Sequence, residues 1–159
     1  MKESVMLRVN GKAYNIDLDP YALLSDVLRE DIGLIGTKRG CDFGGCGACT
    51  VLLDGQAVYS CMMPAHHAQG HEITTIEGLS KGDELTSVQQ SFVKNMGFQC
   101  GYCTPGIIMS ATALIKQNPN PSENDIREAL AGNLCRCTGY TSIFKAIKEA
   151  ATMTPRAGH

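Results

Sequence analysis

The sequence predicts an α+β fold in which a small sheet with one helix packed across it precedes four helices. Three observations carry that expectation. Apolar and polar residues alternate along the first half, the alternation gives way to a helical period after Gly78, and Asn10-Gly11 and Asp54-Gly55 stand as two-residue turns between alternating segments.

Taken in order, Val5, Leu7 and Val9 and then Tyr14, Ile16 and Leu18 keep a period of two on either side of Asn10-Gly11, which reads as a hairpin with one buried face. Asp19-Pro20 offers an N-cap and a proline at the first helical position, and Leu23, Leu24, Val27 and Leu28 form a helical stripe ending near Gly33. After a glycine-rich loop, Thr50 to Leu53 and Ala57 to Ser60 flank Asp54-Gly55 as a second hairpin, and Glu72 to Ile76 offers one more strand.

Beyond Gly78, Leu85, Val88, Phe92 and Met96 fit one helix, and Ile107, Ile108, Ala111, Leu114 and Ile115 fit a second. Ser122 with Asp125 makes a capping box for a third helix carrying Ile126, Ala129 and Leu130, and a fourth carries Ile143, Phe144, Ile147 and Ala150. Four amphipathic helices of this kind make a bundle. The polar stretch from Gly78 to Glu84 reads as the linker, giving domains at residues 1–78 and 79–159. The segment 152–159 is expected to be flexible or to lie on a partner. No repeat or low-complexity tract is present.

The chain has 159 residues, 43% hydrophobic and 19% charged, the composition of an ordinary globular protein large enough to fold without disulfide staples. A net charge of -2 gives no basic field for nucleic acid, and no Lys/Arg run suggests an anionic membrane. The N-terminus alternates where a signal peptide needs a continuous apolar run, so a cytoplasmic location is expected. In a reducing compartment, the 8 cysteines are metal ligands or redox groups more often than disulfides.

They fall into two sets of four. Cys41, Cys46 and Cys49 are spaced CxxxxCxxC, with Cys61 following on the next strand region, the plant-type ferredoxin arrangement. Gly40, Gly44, Gly45 and Gly47 allow the loop to fold tightly and let backbone N–H groups approach sulfur. A zinc site or a pair of disulfides is the bland alternative, although zinc knuckles favour paired CxxC motifs. Cys100 and Cys103 lie between the first and second helices of the second half, and Cys135 and Cys137 between the third and fourth. An antiparallel arrangement could bring both turns to one end, with the helix starts at Thr104-Pro105 and at Thr138 to Ser142 presenting their positive ends. Alone, Cys100-Gly-Tyr-Cys103 also reads as a redox dithiol, but it lacks a βαβ context.

The segments GCDFGGCGACTV, QCGYCTPG and AGNLCRCTGY, in that order, resemble the iron–sulfur small subunits of molybdenum hydroxylases, the xanthine dehydrogenase family that includes carbon monoxide dehydrogenases, aldehyde oxidoreductases and 4-hydroxybenzoyl-CoA reductase. The resemblance runs from about Val5 to about Ala151. It implies an N-terminal β-grasp ferredoxin-like domain and a C-terminal four-helix 2Fe-2S-binding bundle, each with one 2Fe-2S cluster on its four cysteines. It further implies a large subunit carrying molybdopterin or molybdopterin cytosine dinucleotide, where the substrate reacts and water supplies the oxygen, and commonly a medium subunit carrying FAD. Electrons in that family pass from the pterin to the helical-domain cluster, then to the ferredoxin-like cluster, then to FAD. By the same resemblance Gln99 should hydrogen-bond the pterin and the Cys137 sulfur should approach its amino group.

Two positions depart from the family pattern. Asp42-Phe43-Gly44-Gly45 stands where many members carry a glutamate, and Tyr102 stands where phenylalanine is frequent. Outside the cysteines, His66, His67 and His71 read as solvent-facing positions on a short helix and its exit. Met62, Met63, Met96 and Met109 read as core or interface packing. Arg136, between two cysteines, carries a charge near the second set. The chain is therefore expected to be a non-catalytic relay within a heterooligomeric oxidoreductase. A free-standing ferredoxin-like carrier or redox sensor, and a structural zinc protein, stay open as alternatives.

Overall fold

The structure, a computed structural model, describes residues 2–154. The part of the expected 152–159 tail from Pro155 onward lies outside the described residues.

Strand β1 (Glu3–Val9) buries Val5, Leu7 and Val9 and exposes their neighbours, as the period of two requires. It pairs antiparallel with β2 (Lys12–Leu18), Val9 opposite Lys12, around Asn10 at φ 52 and Gly11 at φ 75. Two successive positive φ values define the primed turn that suits the twist of the strands. A second hairpin joins β3 (Thr50–Leu53) to β4 (Gln56–Tyr59) through Asp54 and Gly55, again both at positive φ.

β5 (Glu72–Thr74) closes the middle of the sheet, parallel to β1 and antiparallel to β3, in the order β2-β1-β5-β3-β4. It is shorter than the expected Glu72 to Ile76. Asn10 takes over the groups a ladder would have used: its Oδ1 accepts from the Thr75 N–H at 2.9 Å and its Nδ2 donates to the Thr75 hydroxyl at 2.9 Å. The chain then turns into a 3-10 segment, Ile76–Gly78.

The helix crossing the sheet starts later than Asp19-Pro20 predicts. Asp19 closes a turn, accepting from Ala22 N–H at 2.9 Å, while Leu23 stays extended at φ -82, ψ 145. The reason is tertiary. Leu24 N–H donates to Met63 O and Ala65 N–H to Ala22 O, each at 2.8 Å, so residues 22–24 are held by the 63–65 segment before any helix can form. Helix α1 (Leu24–Asp26) continues as a π-helical stretch, Val27–Asp31, and Leu24, Val27 and Leu28 pack with Leu7, Val9, Val51 and Ile73 into the first core.

Four helices follow: α2 (Ser87–Lys94), α3 (Thr104–Gln117), α4 (Glu123–Leu130) and α5 (Thr141–Met153). The start of α2 is set by a capping box of Thr86 and Gln89, and that of α4 by Ser122 and Asp125. Leu85 and Met96, expected on the first helix, fall outside it and are exposed, Met96 because the chain reverses there at φ 50. Phe92, Ile107, Ile126, Ile143 and Ile147 from all four helices share one apolar core.

α5 runs two residues into the segment expected to be a loose tail, and Thr154 Oγ1 lies 2.9 Å from Ser87 Oγ. Met109 is fully buried as expected. Met62, by contrast, is exposed, so it is not core.

The two halves meet across β3. Thr50, Val51 and Leu52 are all buried, because Val51 faces the first core and Leu52 packs on Met109 and Ala113 of α3. A strand covered on both faces reads as an unbroken apolar run, which TVLL is.

Candidate functional site

The first cysteine set sits on the loop between α1 and β3, with Cys61 in a 3-10 turn after β4. Cys49 and Cys61 are buried and Cys41 and Cys46 partly so. The loop turns its amides inward: the N–H groups of Gly45 and Cys46 donate to the Cys41 sulfur at 3.3 Å, and that of Ala48 donates to the Cys46 sulfur at 3.5 Å. The Phe43 N–H, aided by the Cys46 thiol and the N–H groups of Cys46 and Gly45, draws Cys41 down to about 7 against its burial. Burial instead pushes Cys61 up to about 11.

Gly47 shows why this loop needs glycine. It has φ +70, and a Cβ there would stand 2.2 Å from Gly132 O.

The second set lies where the turn before α3 meets the turn between α4 and α5. Cys103 is the N-cap of α3, with Pro105 in its first turn, so the positive end of that helix does adjoin the thiols. The other helix start falls within the expected stretch, α5 beginning at Thr141 behind Tyr140, whose φ of 67 is left-handed. Burial pushes Cys103 up to about 12. Burial also raises Cys135, but hydrogen bonds from the Thr138 hydroxyl and the Thr138 and Cys137 amides outweigh it and leave the thiol below its ordinary value. Cys100 and Cys137 are exposed, as is Gln99 beside them.

No two of the eight cysteines are joined in a disulfide. Within each set the thiols stand near enough to affect one another's ionisation, Cys41, Cys46, Cys49 and Cys61 in the first and Cys100, Cys103, Cys135 and Cys137 in the second. Among the described residues, no group of three or more His, Cys, Asp or Glu side chains is set to hold a single metal ion.

Four thiols per site are the donor set of a 2Fe-2S cluster, and inward amides suit its sulfur. The residues therefore fit a 2Fe-2S cluster at each site.

Some contributors were not evident in the sequence. Asn133 is 2% exposed and holds the two sites together: its Oδ1 accepts from Ser110 Oγ at 2.8 Å and its Nδ2 donates to Gly47 O at 3.0 Å. Tyr140 donates to Asn133 O at 2.9 Å and accepts from Cys135 N–H at 2.8 Å. A buried asparagine next to a cysteine motif was the available signal. His66 and His67 are exposed on the 3-10 turn Ala65–Ala68, as expected, and exposed His71 pairs with Asp54 at 2.6 Å. Arg136 is exposed.

Residues 7–76 match the "2Fe-2S iron-sulfur cluster binding domain" and residues 75–148 the "[2Fe-2S] binding domain". The chain is 51% identical, over 91% of its length and 83% of the other's, to one subunit of a probable xanthine dehydrogenase of Bacillus subtilis. It is 46% identical, over 91% of its length and 70% of the other's, to the iron-sulfur-binding subunit of an Escherichia coli aldehyde oxidoreductase. Among solved structures it resembles a chain of quinoline 2-oxidoreductase from Pseudomonas putida 86, with TM-score 0.92 and 43% identity, covering 96% of this chain and 94% of that one. Two cluster-binding domains in this order, with relatives of this identity over nearly the whole length, place the chain in the iron–sulfur subunits of the molybdenum hydroxylase, or xanthine dehydrogenase, family of oxidoreductases.

Proposed function

We propose that this chain relays single electrons between the molybdopterin site of a large subunit and FAD, or another acceptor, on a further subunit of a molybdenum-dependent hydroxylase or dehydrogenase. Cys41, Cys46, Cys49 and Cys61 hold one 2Fe-2S cluster, and Cys100, Cys103, Cys135 and Cys137 hold the other. When bound, each cluster takes up and returns one electron. The chain's own residues donate hydrogen bonds to the sulfurs and keep the sites close.

The observation carrying this reading is that two sets of four thiols are locked together by direct hydrogen bonds, Leu134 N–H to Cys46 O at 2.8 Å and Asn133 to Gly47 O at 3.0 Å. Two redox sites that share a rigid contact suit a relay better than a mobile carrier.

In finer detail, residues 1–78 form a β-grasp ferredoxin-like domain and residues 79–159 a four-helix bundle, a division supported by the two separate apolar cores. Exposed Gln99 and Cys137 sit where the large subunit docks, Gln99 hydrogen-bonding the pterin and the Cys137 sulfur approaching its amino group. A cytoplasmic setting suits cysteines that serve as cluster ligands rather than disulfides.

Metal analysis of anaerobically purified protein tests the reading. About four irons per chain and two distinct EPR signals on reduction are expected, together with copurification of a molybdenum-binding chain. Zinc in place of iron, or a single spin system, would refute the two-cluster assignment. An active, partner-free monomer would favour a diffusible carrier.

A further inference from the structure

We propose that the Thr138 hydroxyl raises the reduction potential of the cluster held by the second cysteine set, by donating a hydrogen bond to the Cys135 sulfur. The inference deepens the proposed relay and rests on Cys135 being a ligand of that cluster. Thr138 Oγ1 lies 3.1 Å from Cys135 Sγ, half-buried in the turn between α4 and α5. The sulfurs of Cys41 and Cys46 in the first set receive the backbone N–H groups of Gly45, Cys46 and Ala48 instead, so a side-chain donor distinguishes the second set.

The turn fixes which way the bond runs. A ligating thiolate carries no proton, so of the two atoms only the hydroxyl can donate. The hydroxyl oxygen in turn accepts the Tyr140 N–H at 3.1 Å. Two successive left-handed residues, Gly139 at φ 61 and Tyr140 at φ 67, curl the chain back over Thr138. That conformation is unfavourable for a residue with a Cβ, and Tyr140 is held in it by its side chain. Its hydroxyl accepts from Cys135 N–H at 2.8 Å and donates to Asn133 O at 2.9 Å. Tyr140 thus clasps Cys135 twice, at the amide directly and at the sulfur by way of Thr138.

A hydroxyl whose oxygen already accepts a hydrogen bond is the stronger donor, by roughly 10–30% per bond in a chain. Hydrogen bonds to ligand sulfur are among the determinants of a cluster's potential. Reduction adds negative charge to the cluster, and a donor aimed at its sulfur stabilises that state over the oxidised one. The Thr138 hydroxyl therefore raises the midpoint of the second cluster, which favours the arrival of electrons from the large subunit. Thr138 is a positioning residue in this account, since it acts on the cluster through Cys135.

The test sets Thr138→Val, which keeps the branched shape and removes the hydroxyl, beside Thr138→Ser, which keeps the hydroxyl, each in the full chain carrying both clusters. Midpoints are read by EPR-monitored redox titration, the signal of the first cluster being assigned by its loss in Cys61→Ser. Thr138→Val should hold as much iron as wild type, with a lowered midpoint for the second cluster and a smaller movement of the first. Thr138→Ser should stay near the wild-type midpoint. An unchanged second midpoint in Thr138→Val, or an equal shift in Thr138→Ser, would overturn the inference while leaving the two-cluster reading intact. If Thr138→Val loses iron, the smaller Thr138→Ala takes its place. Iron loss in both would make the hydroxyl a structural group and overturn the inference equally. Wild-type chain isolated without iron would instead remove the ligand assignment beneath it.

Discussion

The backbone N–H of Leu134 donates to the carbonyl of Cys46 across 2.8 Å, joining a residue beside one cysteine of the second set directly to a cysteine of the first. Tyr102 makes a parallel contact with Arg39 O, so the loop from Arg39 to Cys46 is gripped at both ends by the turns that carry the second set. Damage at this seam should therefore register at both sites at once.

Asn133 is the buried polar centre of the seam. Asn133→Ala leaves the buried Ser110 hydroxyl without its partner, at roughly 1–3 kcal/mol, and removes the tie to Gly47 O, which keeps the Thr50 hydroxyl and N–H. Denaturant unfolding of the purified chain should show that loss, together with faster release of iron from both sites. A variant as stable as wild type would mean that water replaces the amide.

Gly106, within α3, meets the loop so closely that a Cβ would fall 2.3 Å from Gly47 O. Ala is ordinarily the better helix residue by roughly 0.5–1 kcal/mol, but here backbone faces backbone and neither side yields cheaply. Gly106→Ala should lose roughly 1–3 kcal/mol or more as overpacking, and it should lower iron occupancy of the first site. Gly82→Ala is the contrast. It has φ +60 but open space around it, so only the left-handed conformation is penalised, by about 1–2 kcal/mol, with iron content unchanged.

Tyr140 holds a left-handed backbone, φ 67, just before α5, and its hydroxyl bridges Asn133 O and Cys135 N–H. Tyr140→Phe keeps the ring and leaves that half-buried amide unpaired, for a cost of roughly 0.5–1.5 kcal/mol. The EPR line shape of the second cluster should broaden, with a smaller change in that of the first, which is joined to it through Asn133. A change in the first signal alone would contradict the geometry.

Acid sensitivity follows from the surface carboxylates. Asp54 is held below its ordinary value first by His71 and then by the Glu72 N–H, and Asp125 first by the Ser122 hydroxyl and then by the Ser122 amide. Each folded pKa is depressed, so the stabilisation is present above the unfolded value of about 3.9 and is lost as pH falls through the folded value. Urea midpoints should drop below about pH 4, and Asp54→Asn should flatten that limb. An unaltered slope would show that the pair is too solvent-exposed to matter.

Much of this protein can be read along the chain. The hairpins at Asn10-Gly11 and Asp54-Gly55, the capping box at Ser122 and the division of the cysteines into two sets are local facts, fixed by backbone sterics and by spacing. The motifs also pointed to the family that the relatives share. What sequence reading misplaced depended on distant partners. Asp19-Pro20 carries a helix-start signal, yet residues 22–24 are held extended by Met63 and Ala65, and the strand at Glu72 ends early because Asn10 captures Thr75.

The meeting of the two halves of the second set was likewise visible only in three dimensions, where the turn carrying Cys100 and Cys103 comes against the one carrying Cys135 and Cys137. Sequence determined which atoms are available to hold iron, because that is a matter of residue type and interval. The tertiary fold decided how the two sites touch, because Leu134 to Cys46, Asn133 to Gly47 and Tyr102 to Arg39 are contacts between segments far apart in the chain, formed only when α3 packs onto β3.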